Sequence, residues 1–273
     1  MPTLIERIHQ VELGNLAQLD QLCHQLGLPY FLMGGSLLGA IRHQGFIPWD
    51  DDVDVGLLRA DYDQLLAAAP THLADSPYFL QTPTSDENYG LSYAKLLDRR
   101  TYIEEKRNVN NARKGIFIDI FPLDRIPQDT SAQQKQSTKF QLLNTRILLQ
   151  LRYHLVDNPL RKLQSPLSSE QLTSVNALKA ERQAVMTQYQ SEITLPQVKN
   201  LASQYAYAKE VFTVAELSDL TTVPFEHLQV QVPRNYATIL TRMYGDYLAL
   251  PPENQRTEKH LERVIMDNQV FTD

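Results

Sequence analysis

The sequence predicts a mixed α+β protein, a sheet flanked by helices and carrying a helical insert, on three observations. Over residues 1–129, short apolar runs stopped by glycine or proline alternate with stretches of helical periodicity. Over 130–208 the chain turns glycine-free, Gln-rich and Leu-patterned, which is helical in character. Over 209–273 short extended pieces and one more helix return the chain to the core. These three segments are the expected catalytic core, helical lobe and C-terminal segment.

The elements follow in order. Leu4, Ile8, Val11, Leu16, Leu19, Cys23 and Leu26 recur at helical spacing, so residues 3–26 read as an amphipathic helix ended by Gly27, with Pro29 beyond. Tyr30–Met33 is a short buried strand stopped by Gly34-Gly35, and Ser36 is placed to cap a helix over Leu37–Arg42. Val53 and Val55 alternate with acids in a second strand. A helix over Asp61–Ala69 follows, then strands at Tyr78–Gln81 and Leu91–Leu97. Ile116–Phe121 reads as a central strand closed by Pro122. Past the lobe, Phe212, Phe225 and Val230–Val232 are extended, and Tyr236 to Tyr247 outlines a last helix.

At 273 residues, 42% hydrophobic and 21% charged, the chain has the composition of an ordinary globular protein. Its net charge of −6 argues against wrapping a nucleic acid polymer. The lobe departs from that balance, with nine Lys/Arg against four Asp/Glu. It reads either as a solvated insert or as a basic surface meeting an anionic acceptor or the inner face of a membrane. A single cysteine, Cys23, allows neither an intrachain disulfide nor a Cys-rich zinc site. The N-terminus lacks the basic start and apolar run of a signal peptide, which predicts a cytoplasmic protein.

The densest chemical signal is Pro48-Trp49-Asp50-Asp51-Asp52-Val53-Asp54-Val55-Gly56. Residues two apart on a strand share a face, so Asp52 and Asp54 point one way and Val53 and Val55 the other. Two carboxylates about 5 Å apart repel by roughly 3 kcal/mol at an effective dielectric near 20. Either one is protonated or a cation lies between them, and an all-oxygen set suits Mg²⁺ or Mn²⁺. Asp51 faces the other way and reads as a turn acid. Asp119 is the lone acid among large apolar residues, where an uncompensated carboxylate is costly. Set beside Asp52 and Asp54, it completes a metal-holding trio and leaves an oxygen to accept a proton from an attacking hydroxyl. Gly34-Gly35-Ser36 lets the backbone approach a ligand and offers helix N-terminal amides to phosphate. Arg42, Lys95 and Arg256 are candidate donor contacts, and His43 and His260 candidate substrate contacts. A P-loop is excluded because Ala40 and Ile41 follow Gly39, and an esterase elbow because position 38 is Leu.

Gly35-Ser36, then Asp52-Val53-Asp54, then an isolated strand acid resembles the nucleotidyltransferase superfamily. The longer string from Gly34 to Asp54 resembles specifically the LicD family, which includes bacterial phosphorylcholine transferases and, more distantly, fukutin and the fukutin-related protein. Leu240–Tyr247, Pro251-Pro252, Arg256 and His260 resemble the C-terminal end of the same family, and Lys95, Arg99 and Thr101 do so less specifically. The resemblance covers about residues 15–125 and 210–260. It implies a nucleotidyltransferase-like sheet and a transferase moving a phospho-substituent from a CDP-linked donor to a hydroxyl of a glycan or glycolipid, such as lipopolysaccharide or teichoic acid, with Mg²⁺. It also implies Asp52, Asp54 and Asp119 as metal ligands, Asp119 as the candidate base, and Gly35 and Ser36 at the donor phosphate. The zinc-binding cysteines of the fukutin-related branch have no counterpart here, so no structural zinc is expected.

Two rival classes stay open. A nucleotidyltransferase proper would transfer the nucleotide and release pyrophosphate; a silent nucleotide- or sugar-binding protein would turn nothing over, and the full acidic set speaks against it.

Overall fold

The computed structural model describes residues 2–105, 110–153, 166–256 and 261–272. Its first helix, α1 (Leu4–Leu26), is fixed at both ends by local chemistry. Thr3 and Glu6 form a reciprocal capping box, and Gly27 closes the helix in the left-handed conformation. The face bearing Leu16, Leu19 and Cys23 is fully buried. At roughly 1.5–3 kcal/mol per large apolar side chain, that face rather than helix propensity holds α1 to the sheet.

The central sheet runs β1-β2-β6-β4-β3, from β1 (Phe31–Leu32), β2 (Asp54–Leu58), β3 (Tyr78–Gln81), β4 (Ala94–Asp98) and β6 (Phe117–Arg125). β2 and β6 are parallel; the other neighbours are antiparallel. Helices α2 (Gly34–His43) and α3 (Arg59–His72) follow β1 and β2 directly. Buried Val55, Leu57, Leu96, Ile118 and Ile120 join the apolar face of α1 in one core.

Three expectations are corrected here. Ser36 does not cap α2: the helix starts at Gly34 with Met33 as N-cap, and the Ser36 hydroxyl instead accepts the Asp54 N–H at 2.7 Å. Pro122 does not close β6, which runs on to Arg125. The N–H of Asp119 points to β2, so position 122 points the other way, where the β4 ladder has ended at Ile120; no bond is lost to proline there. Asp52 precedes β2 rather than lying in it, although Val53 already bonds to Asp119 and carries the alternation back.

The described part of the lobe holds two helices, α4 (Thr130–Gln150) and α5 (Ser169–Met186), with their own small core of Phe140, Leu143, Ile147, Val175 and Val185. The helical pattern then stops. Residues 197–199 form β7, which pairs with the end of β6 and with β8 (Val211–Thr213), so part of this segment belongs to the central sheet. The lobe docks through Arg182, which donates to the carbonyls of Gly90 and Leu91, and Lys179, which donates to those of Pro83 and Glu87.

Two small sheets complete the chain. β9 (Leu220–Phe225) and β10 (Leu228–Pro233) form a hairpin beside β1, preceded by the short α6 (Val214–Ser218) and followed by α7 (Tyr236–Tyr244). β11 (Leu261–Met266) pairs with β12 (Gln269–Thr272) and with β5 (Tyr102–Glu105). Sequence periodicity did not indicate β5, β7, β11 or β12. Among the described residues, no helix is long and apolar enough to cross a membrane.

Candidate active site

The parallel pairing of β2 with β6 sets Asp54 directly opposite Asp119, and the antiparallel pairing of β6 with β4 sets Lys95 opposite Asp119 on the other side. Three charged residues thus cross the middle of the sheet in one row. Lys95 Nζ lies 3.4 Å from Asp119 Oδ1 and 3.8 Å from Glu105 Oε2, and sits 3.1 Å above the centroid of the Phe117 ring. Asp119 Oδ1 is buried and lies within ion-pair reach of Lys95, but it makes no hydrogen bond.

Over this row lies a cavity of about 380 Å³ lined by Gly35, Asp50, Asp52, Asp54 and Asp119, by the aromatic residues Tyr93, Phe121 and Tyr205, and by Asn200, Ser203 and Glu210. The glycine turn is shaped around the acids. Gly34 has φ +56°, and a Cβ on it would lie 2.9 Å from Asp54 Oδ2; a Cβ on Gly35 would lie 2.7 Å from Asp50 Oδ2. A Cβ at either position would push a carboxylate end aside, and at Gly34 the positive φ would add backbone strain, so glycine leaves the acids their present place.

Burial and mutual repulsion act together on the acids. Asp54 is raised well above its ordinary value, by desolvation first and then by Asp52, Asp119 and Asp50. Asp119 is pushed up to about 7, by desolvation first, with Lys95 working against it and Glu105 and Asp52 adding to it. Glu12 of α1, also buried, is raised by desolvation and then by Asp52, Asp51 and Asp50. Such crowding is what a bound cation relieves.

The donor set fits a hard divalent cation: carboxylate oxygens only, gathered where the glycine backbone leaves room. Among the described residues, no three of His, Cys, Asp or Glu stand grouped at metal-holding distances as they are. An ion would therefore draw the carboxylates together. The linkage has a definite sign. A carboxyl whose pKa is higher in the fold than in the unfolded chain lowers stability as pH rises from its ordinary value near 3.8 to about 7 for Asp119. We therefore expect Mg²⁺ to raise the melting temperature more at about pH 8 than at about pH 5, with proton release on binding. Equal shifts at both pH values in thermal denaturation would contradict this.

The remaining expected residues lie elsewhere. Arg42 donates to the carbonyls of Tyr247 (3.2 Å) and Ala249 (3.1 Å), and Arg256 donates to that of Pro251 while lying over the Trp49 ring. Both stand beside the Asp50 loop, outside the cavity lining, and Lys95 is behind Asp119 rather than in that lining. His43 packs edge-on against Trp49. His260 lies outside the described residues. Asn200, Ser203, Tyr205 and Glu210 were not anticipated, because they follow a three-residue strand inside helix-patterned sequence. Tyr93 was legible, since it lies two residues from Lys95 within the expected strand Leu91–Leu97, although β4 itself begins at Ala94.

A mixed sheet thus brings aspartates from adjacent parallel strands to one cavity beside a glycine turn. Residues 27–164 match the family described as LicD/FKTN/FKRP, nucleotidyltransferase domain. The chain belongs to that family. It is 29% identical over 256 residues to the lipopolysaccharide cholinephosphotransferase LicD of Haemophilus influenzae, covering 90% of this chain and 91% of that protein. It is 46% identical over 57 residues to the human ribitol 5-phosphate transferase FKRP, covering 20% of this chain and 12% of that protein. An uncharacterised protein of Rickettsia prowazekii is 42% identical over 118 residues, 42% of this chain and 41% of its own length.

Proposed function

We propose that this LicD-like phosphotransferase moves a phospho-substituent, phosphocholine or a similar group, from a CDP-linked donor to a hydroxyl of a cell-surface glycan or glycolipid. The observation that carries this reading is the facing pair Asp54 and Asp119, on adjacent strands, under one cavity with the glycine turn at its edge. The named activities of the Haemophilus and human relatives support it.

Asp52, Asp54 and Asp119 are the residues that would hold Mg²⁺ or Mn²⁺, whose charge, when bound, neutralises the donor's pyrophosphate oxygens. Gly35 and the N-terminus of α2 receive the phosphate, with Ser36 holding Asp54 in place through its backbone N–H. Asp119 orients the acceptor hydroxyl and takes its proton as that oxygen bonds to phosphorus; the phosphoanhydride bond breaks and CMP leaves. Lys95, in ion-pair reach of Asp119, favours its ionised form. Arg42 and Arg256, gathered near Trp49, are the proposed outer contacts to the donor, and His260, outside the described residues, is proposed with them from the sequence alone.

A cationic head group, as in choline, suits the far wall of the cavity. Tyr93 packs against Phe121 at 4.3 Å, and Tyr205 bonds to Tyr244 at 2.8 Å between hydroxyls. The neighbouring Glu210 is buried, with one carboxylate oxygen lacking a hydrogen-bond partner. Aromatic faces beside a desolvated carboxylate recognise an ammonium group.

The test is product analysis with CDP-choline, CDP-ribitol or CDP-glycerol, Mg²⁺ and a glycan acceptor. CMP release from CDP-choline, faster than from the polyol donors, is the expected result. Pyrophosphate release from CTP instead would move the chain to the nucleotidyltransferase reading.

A further inference from the structure

A second chamber, of about 650 Å³, lies where α5 of the lobe meets α3 and the connection between β3 and β4. Its described lining shares no residue with the cavity over Asp54 and Asp119. Ser92 and Tyr93 divide the two, Ser92 lining the chamber and Tyr93 the cavity.

Lys179 and Arg182 are three residues apart on α5, so they share a face, and both are buried. Lys179 Nζ donates to the carbonyls of Pro83 (3.1 Å) and Glu87 (2.7 Å), which uses two of its three N–H groups. Arg182 donates to the carbonyls of Gly90 and Leu91 and to Asn144 Oδ1, which uses three of its five. Among the described residues neither has a carboxylate at ion-pair distance. The acids nearest Lys179, Asp86 and Glu87, act on it only at longer range, and the groups facing Arg182 are the phenols of Tyr89, Tyr153 and Tyr62. Arg59 also lines the chamber but is paired with Asp124. In the same wall, Ser92 Oγ is buried without a hydrogen-bond partner.

Docking of the lobe accounts for the carbonyl bonds but not for an unpartnered hydroxyl beside so large a space. Two buried like charges without a counter-ion are costly, and burial followed by the Arg182 charge pushes Lys179 down to about 8. A dianion in the chamber would offset both charges and give Ser92 a partner. Tyr62 and Leu66 supply an apolar wall for the rest of a ligand. We propose that this chamber binds a phosphate-bearing ligand, its phosphate held by Lys179, Arg182 and Ser92 and its organic body lying against Tyr62 and Leu66. The same chemistry occurs in a soluble sugar phosphate and in a phospholipid head group.

Calorimetric titration of the full chain with inorganic phosphate, glucose 6-phosphate and dihexanoyl phosphatidic acid tests this, and the probe that binds identifies the source. Ala180 is exposed at the chamber wall, so Ala180→Trp obstructs the space without removing a docking bond. The expected result is saturable binding of at least one probe, weakened at least tenfold by Ala180→Trp and by Lys179→Gln, and not weakened by Asp54→Asn. If Lys179→Gln fails to fold, Ala180→Trp decides alone. Saturable binding of none of the three probes, or binding retained in Ala180→Trp, overturns the proposal. Because Asp54→Asn reports on the other cavity, failure here leaves the transferase reading intact.

Discussion

Asp54→Asn is expected to lower kcat/KM for transfer by on the order of a thousandfold or more, while leaving the fold intact and its metal-free stability equal or higher. Both halves follow from the surroundings of this residue. Its backbone N–H is fixed by Ser36, its partner across the sheet is Asp119, and Gly34 is shaped around its carboxylate. An isosteric amide keeps those contacts and removes a charge that burial and four neighbouring acids oppose. Sites that hold charges against their own repulsion lose stability to gain function, so relief of the strain should accompany loss of activity. A variant that unfolds more readily than wild type, or that keeps its rate, would contradict this. Transfer assays and urea denaturation measure the two halves separately.

The second large effect is on stability alone. Asp124, at the end of β6, and Arg59, at the start of α3, are both almost fully buried and meet at 2.6 Å and 2.9 Å. Burial works against the Arg59 charge, and the Asp124 carboxylate more than offsets it, so Arg59 is held firmly protonated. Asp124→Leu should therefore cost about 3–5 kcal/mol, since it strands a buried guanidinium with only the half-exposed Asp63 at 3.2 Å. Replacing both residues by leucine should recover most of that loss, because an apolar pair of similar volume carries no desolvation cost. Urea unfolding of the two single variants and the double variant gives the coupling directly; additive losses would contradict the account.

Much of this was legible in the sequence, and particular residues show why the rest was not. Strict alternation around Val53 and Val55 announced the acid row, and the apolar run around Asp119 announced a buried carboxylate needing compensation. Neither says which strands lie side by side, which is a property of the sheet order. Glu12 carried a signal that the helical pattern passed over: it falls four residues from both Ile8 and Leu16, on the buried face, and the structure buries it near the Asp50–Asp52 loop. Ser36 has the chemistry of an N-cap, but a tertiary bond to Asp54 took its hydroxyl instead. Residues 200–210 were hidden by their setting. Three residues of strand within helix-patterned sequence give no periodicity to read, so the wall carrying Tyr205 and Glu210 emerges only once β7 is seen to join β6.

The carboxylates of β2 and β6 are proposed to share a divalent cation beside the glycine turn. The most direct measurement is to locate Mn²⁺ by anomalous scattering in crystals grown with the ion and a CDP-linked donor. The account predicts the ion in direct contact with Asp54 and Asp119 oxygens and with the donor's phosphates near Gly35. An ion bound elsewhere on the chain, with both carboxylates turned away from it, would contradict the account.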